Sequence, residues 1–168
     1  MGEVEAIMET ALDFGCGNGV MLPTLAEHFR SVVGYDKHTE AARSLKVKLG
    51  LDNVEIRKSE LPFYLPFLDK SFDMIWASSA LEHVKHLDSI FWQFHRVLKP
   101  GGQFLLLSPS ENWIYRLGRK LFRLEKPKDH YHTAQEIITE LKKYFVLEIR
   151  KSWPIGLNIY SMARFRKE

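Results

Sequence analysis

Thr10-Ala11-Leu12-Asp13-Phe14-Gly15-Cys16-Gly17-Asn18-Gly19 is the stretch on which the fold turns. An apolar run ends in three glycines at alternate positions, as a buried strand does when it enters a tight turn. From Val20 to Arg30, Leu22, Leu25, Ala26 and Phe29 recur at helical spacing. The unit is therefore strand, glycine turn, helix. Glycine allows the sharp turn and lets backbone approach a ligand with no Cβ in the way. The spacing is G-x-G-x-G, with Val20 where a dinucleotide-binding loop would place its last glycine. A smaller ligand, differently charged from a pyrophosphate, fits such a loop at least as well.

The same alternation continues outward. Ser31–Tyr35 reads as a second strand, and Thr39 as the cap of a helix through Ala41, Leu45 and Leu49 that stops at Gly50. Asn53–Lys58 and Phe72–Ser78 read as strands three and four. Asp88 can cap a helix through Ile90, Phe91, Phe94, Val97 and Leu98 that breaks at Pro100-Gly101-Gly102. Gln103–Leu107 is a fifth strand, and Thr133-Ala134-Gln135-Glu136 is a capping box opening another helix. Two strands, near Phe145–Ile149 and Ile159–Phe165, flank Pro154 and Gly156 and read as an antiparallel pair. Strands alternating with helices predict an α/β, doubly wound, mostly parallel Rossmann-like sheet with helices on both faces. No composition break divides the 168 residues, so one domain is expected.

Composition sets the class. The chain is 45% hydrophobic and 27% charged, with a net charge of +3, which does not by itself name nucleic acid as a partner. One cysteine excludes an intrachain disulfide. No apolar run reaches the roughly 18 residues needed to span a bilayer. No basic cluster of signal-peptide type opens the chain. A cytoplasmic protein is expected, with oligomer formation left open.

Asp36 closes the second predicted strand, 17 residues beyond Gly19. A carboxylate there can accept both hydrogens of a ribose diol. The glycine loop, Gly34-Tyr35-Asp36, Leu65-Pro66-Phe67 before Ser71-Phe72-Asp73, Leu81-Glu82-His83 and Leu98-Lys99-Pro100-Gly101-Gly102 together resemble class I S-adenosylmethionine-dependent methyltransferases of the small-molecule, type 11 group. The resemblance covers Ala11 to Pro109 in order and spacing. It implies a seven-stranded sheet with an antiparallel last strand, S-adenosyl-L-methionine as donor, S-adenosyl-L-homocysteine as product and a small-molecule acceptor.

Carried onto this chain, the resemblance places Asp13 and the backbone of Gly15, Cys16, Gly17 and Gly19 around the methionine moiety. Asp36 would hold the ribose hydroxyls, with Lys37 beside the adenine. The acidic residue usual after the third strand is missing, and Ser59, Glu60 or Leu61 stands in its place. Ala77 and Ser78 would face the sulfonium. Only about nine residues precede the first strand, where the family carries a helical segment that helps to close over the cofactor. The pocket is therefore expected to be open, or closed by the Trp113 segment or by another subunit.

On the acceptor side, His83 is the candidate base, because an oxygen or ring-nitrogen acceptor has a proton to lose. A structural hydrogen-bonding role would place His83 at the same spot. His130, Tyr131 and His132 precede the capping box and are candidate acceptor contacts. With neither cysteine nor acidic partner at ligand spacing they do not read as a metal site. Trp113 to Leu124 combines an apolar stripe with Arg116, Arg119, Lys120 and Arg123, and Trp113 and Tyr115 lie nearest the strand end as candidate lid residues. Ala77-Ser78-Ser79-Ala80 lacks the Asn/Asp-Pro-Pro-Tyr signature of many base-methylating enzymes, so nucleic acid is not favoured as acceptor. Two alternatives remain: a cofactor-binding or scaffolding module that has lost turnover, and a nicotinamide-dependent oxidoreductase.

Overall fold

The structure, a computed structural model, describes residues 8–60, 64–110, 129–154 and 157–168. Leu61, Trp113 and Tyr115, with the amphipathic stretch from Trp113 to Leu124, lie outside them.

In chain order the elements are β1 (Met8–Phe14), α1 (Leu22–His28), β2 (Phe29–Asp36), α2 (Glu40–Leu49), β3 (Val54–Lys58) and β4 (Phe72–Ser78). They continue as a 3-10 turn (Leu81–His83), α3 (Leu87–Val97), β5 (Leu98–Pro109), α4 (Ala134–Leu141), β6 (Val146–Trp153) and β7 (Tyr160–Arg166). The seven strands form one sheet in the order β3-β2-β1-β4-β5-β7-β6. β1 to β5 pair in parallel, and β7 is antiparallel to both of its neighbours. The chain winds outward from β1 to β3, then returns to β4 on the other side. The carboxyl ends of β1 and β4 therefore flank the point where strand order reverses, the crevice in which such sheets bind ligands.

Each face of the sheet has its own core. On one face Phe91 and Phe94 of α3 and Ile137 and Leu141 of α4 pack on Leu12, Ile75, Phe104 and Phe165. On the other, Leu22 and Leu25 of α1 and Ala42 of α2 pack on Ala11, Val32, Val54 and Ile56. Phe94 is fully buried and meets Phe14 edge-on at 4.9 Å, so the core on this face continues up to the residue before the glycine loop. Among the described residues no helix is long and apolar enough to cross a membrane.

The capping box at α4 forms as expected, with Thr133 accepting from the Glu136 amide and the Glu136 carboxylate accepting from the Thr133 amide. Two expectations differ. Asp88 does not cap α3; His86 holds that position, and the Asp88 carboxylate accepts from the Tyr144 hydroxyl at 2.8 Å. Pro100-Gly101-Gly102 does not lie outside the fifth strand, since β5 starts at Leu98 and the register shifts between Leu98 and Gln103. The glycines make a bulge closed by the tail: Gly101 donates to the Lys167 carbonyl at 2.9 Å, and Lys167 donates back to Gly102.

Phe94→Ala is expected to lower unfolding free energy by about 3–5 kcal/mol, whereas Thr133→Ala costs only about 1 kcal/mol. Urea denaturation followed by circular dichroism measures both.

Candidate functional site

The carboxyl end of β2 braces the glycine loop. The Tyr35 carbonyl accepts from the Gly15 amide at 2.8 Å and from the Cys16 amide at 3.4 Å. The Gly17 amide donates to Asp36 Oδ2 at 2.9 Å, and the His38 amide donates to Asp36 Oδ1 at 2.8 Å. Each carboxylate oxygen keeps a lone pair for a further donor. Gly15 has φ +73°, and a Cβ built there would stand 2.4 Å from the Ala80 Cβ, so loop and β4 exit touch with no room for a side chain. Gly19, at φ +81°, packs against Leu22 and Ala42 and holds the loop to both helices of its face.

Between these strand ends lies a cavity of about 570 Å³, within the range of small-molecule and cofactor sites. Gly15, Gly17, Asp36, Lys37 and Ser59 line it, as expected of donor-site residues. Ser59 is held there by its amide, which donates to the Asp36 carbonyl at 2.7 Å.

Cys16, expected to contribute its backbone, turns its side chain into the core beneath the loop, and burial, with Asp13 and Asp36 adding to it, pushes its thiol up to about 12. Other expected residues sit elsewhere. Ala77 is buried in the core, and neither it nor Ser78 lines the cavity; Ser79 and Ala80 do. The chain turns at Ser79, whose φ is +48°, and this moves the contact beyond the strand end. Glu60 lies in the wall of a neighbouring cavity with Arg43 and Arg57.

Asp13 is 2% exposed beneath the loop, outside the cavity wall. Burial first, and the nearby charge of Asp36 second, raise its carboxyl from 3.8 to about 7. Its Oδ2 has no hydrogen-bond partner among the described residues. A cationic ligand group at the loop is what would satisfy that oxygen.

The far wall comes from two distant segments. His83 lines the cavity, and its Nδ1 lies 2.9 Å from Asp129 Oδ2. His130 packs edge-on against His83 with ring centroids 4.6 Å apart. The Tyr131 amide donates to the Glu82 carbonyl at 2.8 Å, and His132 Nε2 lies 3.3 Å from the Lys85 carbonyl. Tyr131 and Asp129 line the cavity, whereas His130 and His132 stand behind it. Asp129 is the functional candidate that the sequence reading missed. It neighbours His130 in the chain, but no pattern links it to His83, 46 residues earlier.

Comparisons with known proteins agree on the fold. The type 11 methyltransferase-domain family matches residues 12–106. The mitochondrial ubiquinone biosynthesis O-methyltransferase of Mus musculus is 28% identical over 163 residues, 90% of this chain and 42% of that protein. A sterol 4-C-methyltransferase of Caenorhabditis elegans is 27% identical over 130 residues, 75% of this chain and 36% of the relative. The chain thus spans less than half the length of these curated relatives. The crystal structure of a SAM-dependent methyltransferase from Aquifex aeolicus superposes with a TM-score of 0.77 at 21% identity, covering 97% of this chain and 85% of that one.

A carboxyl group raised on folding binds its proton more tightly in the native state, so it costs stability as pH climbs from about 4 toward 7. Asp13→Asn is therefore expected to stabilise the ligand-free protein at pH 8 by as much as ~4 kcal/mol, with little effect at pH 4. Thermal denaturation at the two pH values measures the difference.

Proposed function

The chain belongs to the type 11 methyltransferase-domain family, and from that premise we propose that it transfers a methyl group from S-adenosylmethionine to a small-molecule acceptor. The brace between Asp36 and the glycine loop carries this reading, because it fixes a carboxylate suited to a ribose diol beside a backbone cradle. The residues present fit the cofactor: a cavity of about 570 Å³, a carboxylate with free lone pairs and a buried Asp13 oxygen lacking a partner among the described residues. When bound, S-adenosylmethionine supplies an electrophilic methyl on a sulfonium, open to in-line displacement.

Asp36 would accept the ribose hydroxyls, and Asp13 would meet the ammonium of the methionine moiety beneath Gly15 and Gly17. Lys37 and Ser59 would line the adenine end. Across the cavity, Asp129 orients His83 through Nδ1, which leaves the lone pair of the neutral ring on Nε2. That imidazole would take the proton from an acceptor hydroxyl bound beside it in the cavity. Tyr131 lends an aromatic wall to the acceptor. The relatives methylate oxygen in one case and carbon in the other, and the His83–Asp129 pair favours oxygen here.

Calorimetry is expected to detect S-adenosylhomocysteine binding, with Asp36→Ala weakening it on the order of 100-fold through loss of charge-assisted hydrogen bonds. Affinity should rise with pH through about 7 as Asp13 ionises, and Asp13→Asn should flatten that rise. Wild-type protein that binds neither donor nor product at millimolar concentration defeats the proposal. For the acceptor half, His83→Ala is expected to lower kcat by about 10²–10⁴. Product affinity should stay unchanged, and an equal fall in both would assign His83 to the donor site.

A further inference from the structure

The 3-10 turn and the segment entering α4 bring a distant metal-capable side chain, His130, to the adjacent pair Glu82 and His83. One ligand atom each from Glu82, His83 and His130 lies within 4.8 Å of the other two. We propose that these three residues form a divalent-cation site of the zinc class at the acceptor end of the cavity. The open coordination position would take an acceptor oxygen.

Three observations carry the proposal. The first is geometric. Tetrahedral ligands about 2.1 Å from zinc stand roughly 3.4 Å apart, so closing the cluster takes movements of about an ångström. His83 is exposed and can make them, whereas Glu82 is 2% exposed and gives the site a fixed corner. The second is support around the ligands. Asp129 holds His83 Nδ1 at 2.9 Å, the carboxylate–histidine arrangement that sets a ligand tautomer with its lone pair on Nε2. The backbone of the His130 segment is tied to the turn through the Tyr131 amide and the Glu82 carbonyl. The third is the donor set. Two imidazoles and one carboxylate suit a borderline cation, and three protein ligands leave the fourth position that catalytic sites use.

Of the three ligands His83 lines the cavity, beside Asp129 and Tyr131, so an acceptor would reach the cation from the His83 side. The site therefore rests on the methyl-transfer reading for its purpose, and it narrows the acceptor to a hydroxyl-bearing molecule. On coordination the acceptor O–H bond breaks, its proton leaves to solvent, and the electron pair stays on the metal-bound oxygen. The cation then does the work that a bare His83 imidazole would otherwise do.

The test uses the whole chain, stripped with a chelator and titrated with zinc chloride by calorimetry, with S-adenosylhomocysteine titrated into the same samples. The expected result is one equivalent of zinc and, with cobalt chloride in its place, the visible absorption of a four-coordinate ion. Asp129→Asn should weaken zinc about tenfold to a hundredfold, and Glu82→Gln or His130→Asn by more. His130→Asn guards against misfolding of the buried Glu82 variant, since product binding in that protein reports an intact donor site. Product binding without zinc binding overturns the cation site and leaves the methyltransferase reading standing, and so does zinc binding that survives both ligand variants. Zinc binding that those variants abolish, in a protein that binds no product, supports the site and defeats the methyltransferase reading.

Discussion

Everything at the ligand edge depends on the last two residues of β2 holding the loop that follows β1. The Tyr35 carbonyl takes two loop amides and the Asp36 carboxylate takes a third. A glycine loop alone would sample many backbone states, and fixing each residue costs roughly 1–2 kcal/mol in conformational entropy. The brace offsets part of that cost before any ligand arrives. It also couples two functions, since the carboxylate that shapes the cradle is the one proposed above to meet the ribose. The parallel pairing of β1 with β2 sets the register that makes this possible, with Phe14 opposite Tyr35.

The glycine-loop wall of the cavity was legible because its determinants are local. Gly15 must be glycine because a Cβ there would strike Ala80, and a carboxylate at a strand end is placed by a few residues of chain. Gly15, Gly17 and Asp36, read from spacing, and Lys37 and Ser59, carried over from the resemblance, all line one cavity. Cys16, between two cradle glycines, was expected to offer its backbone alone, and its side chain packs into the core as the loop turns at each glycine. Ala77 and Ser78 fell short for a related reason. Strand periodicity ended the pattern at Ser78, but the wall is made by the turn beyond, where Ser79 adopts a left-handed conformation and Ala80 touches Gly15.

The acceptor half was less legible because tertiary contacts build it. Sequence spacing gave His130 and His132 no acidic companion, yet the fold brings Glu82 to His130 and Asp129 to His83. The anchor is backbone pairing between Tyr131 and Glu82, which carries no side-chain signature. The bulge at Pro100-Gly101-Gly102 escaped for the same kind of reason. Proline and glycine signal an interruption, but only the partner strand and the returning tail decide whether it is a break or a kink.

Asp13 gives these pieces a common energetic sense. A carboxylate buried beside another acid, with one oxygen lacking a partner among the described residues, opposes the ligand-free fold near neutral pH. The aromatic and aliphatic cores on the two faces must carry that cost, and Phe94 against Phe14 brings the first of them up to the loop. A ligand cation reverses the sign: it supplies the missing counter-charge at a site already desolvated, where electrostatic attraction is stronger than in water. Binding free energy is then drawn partly from strain the empty protein already holds, and the stability gained on binding follows by linkage. The buried acid thus stands where asparagine or an apolar residue would favour the ligand-free fold and where a cationic ligand would neutralise it.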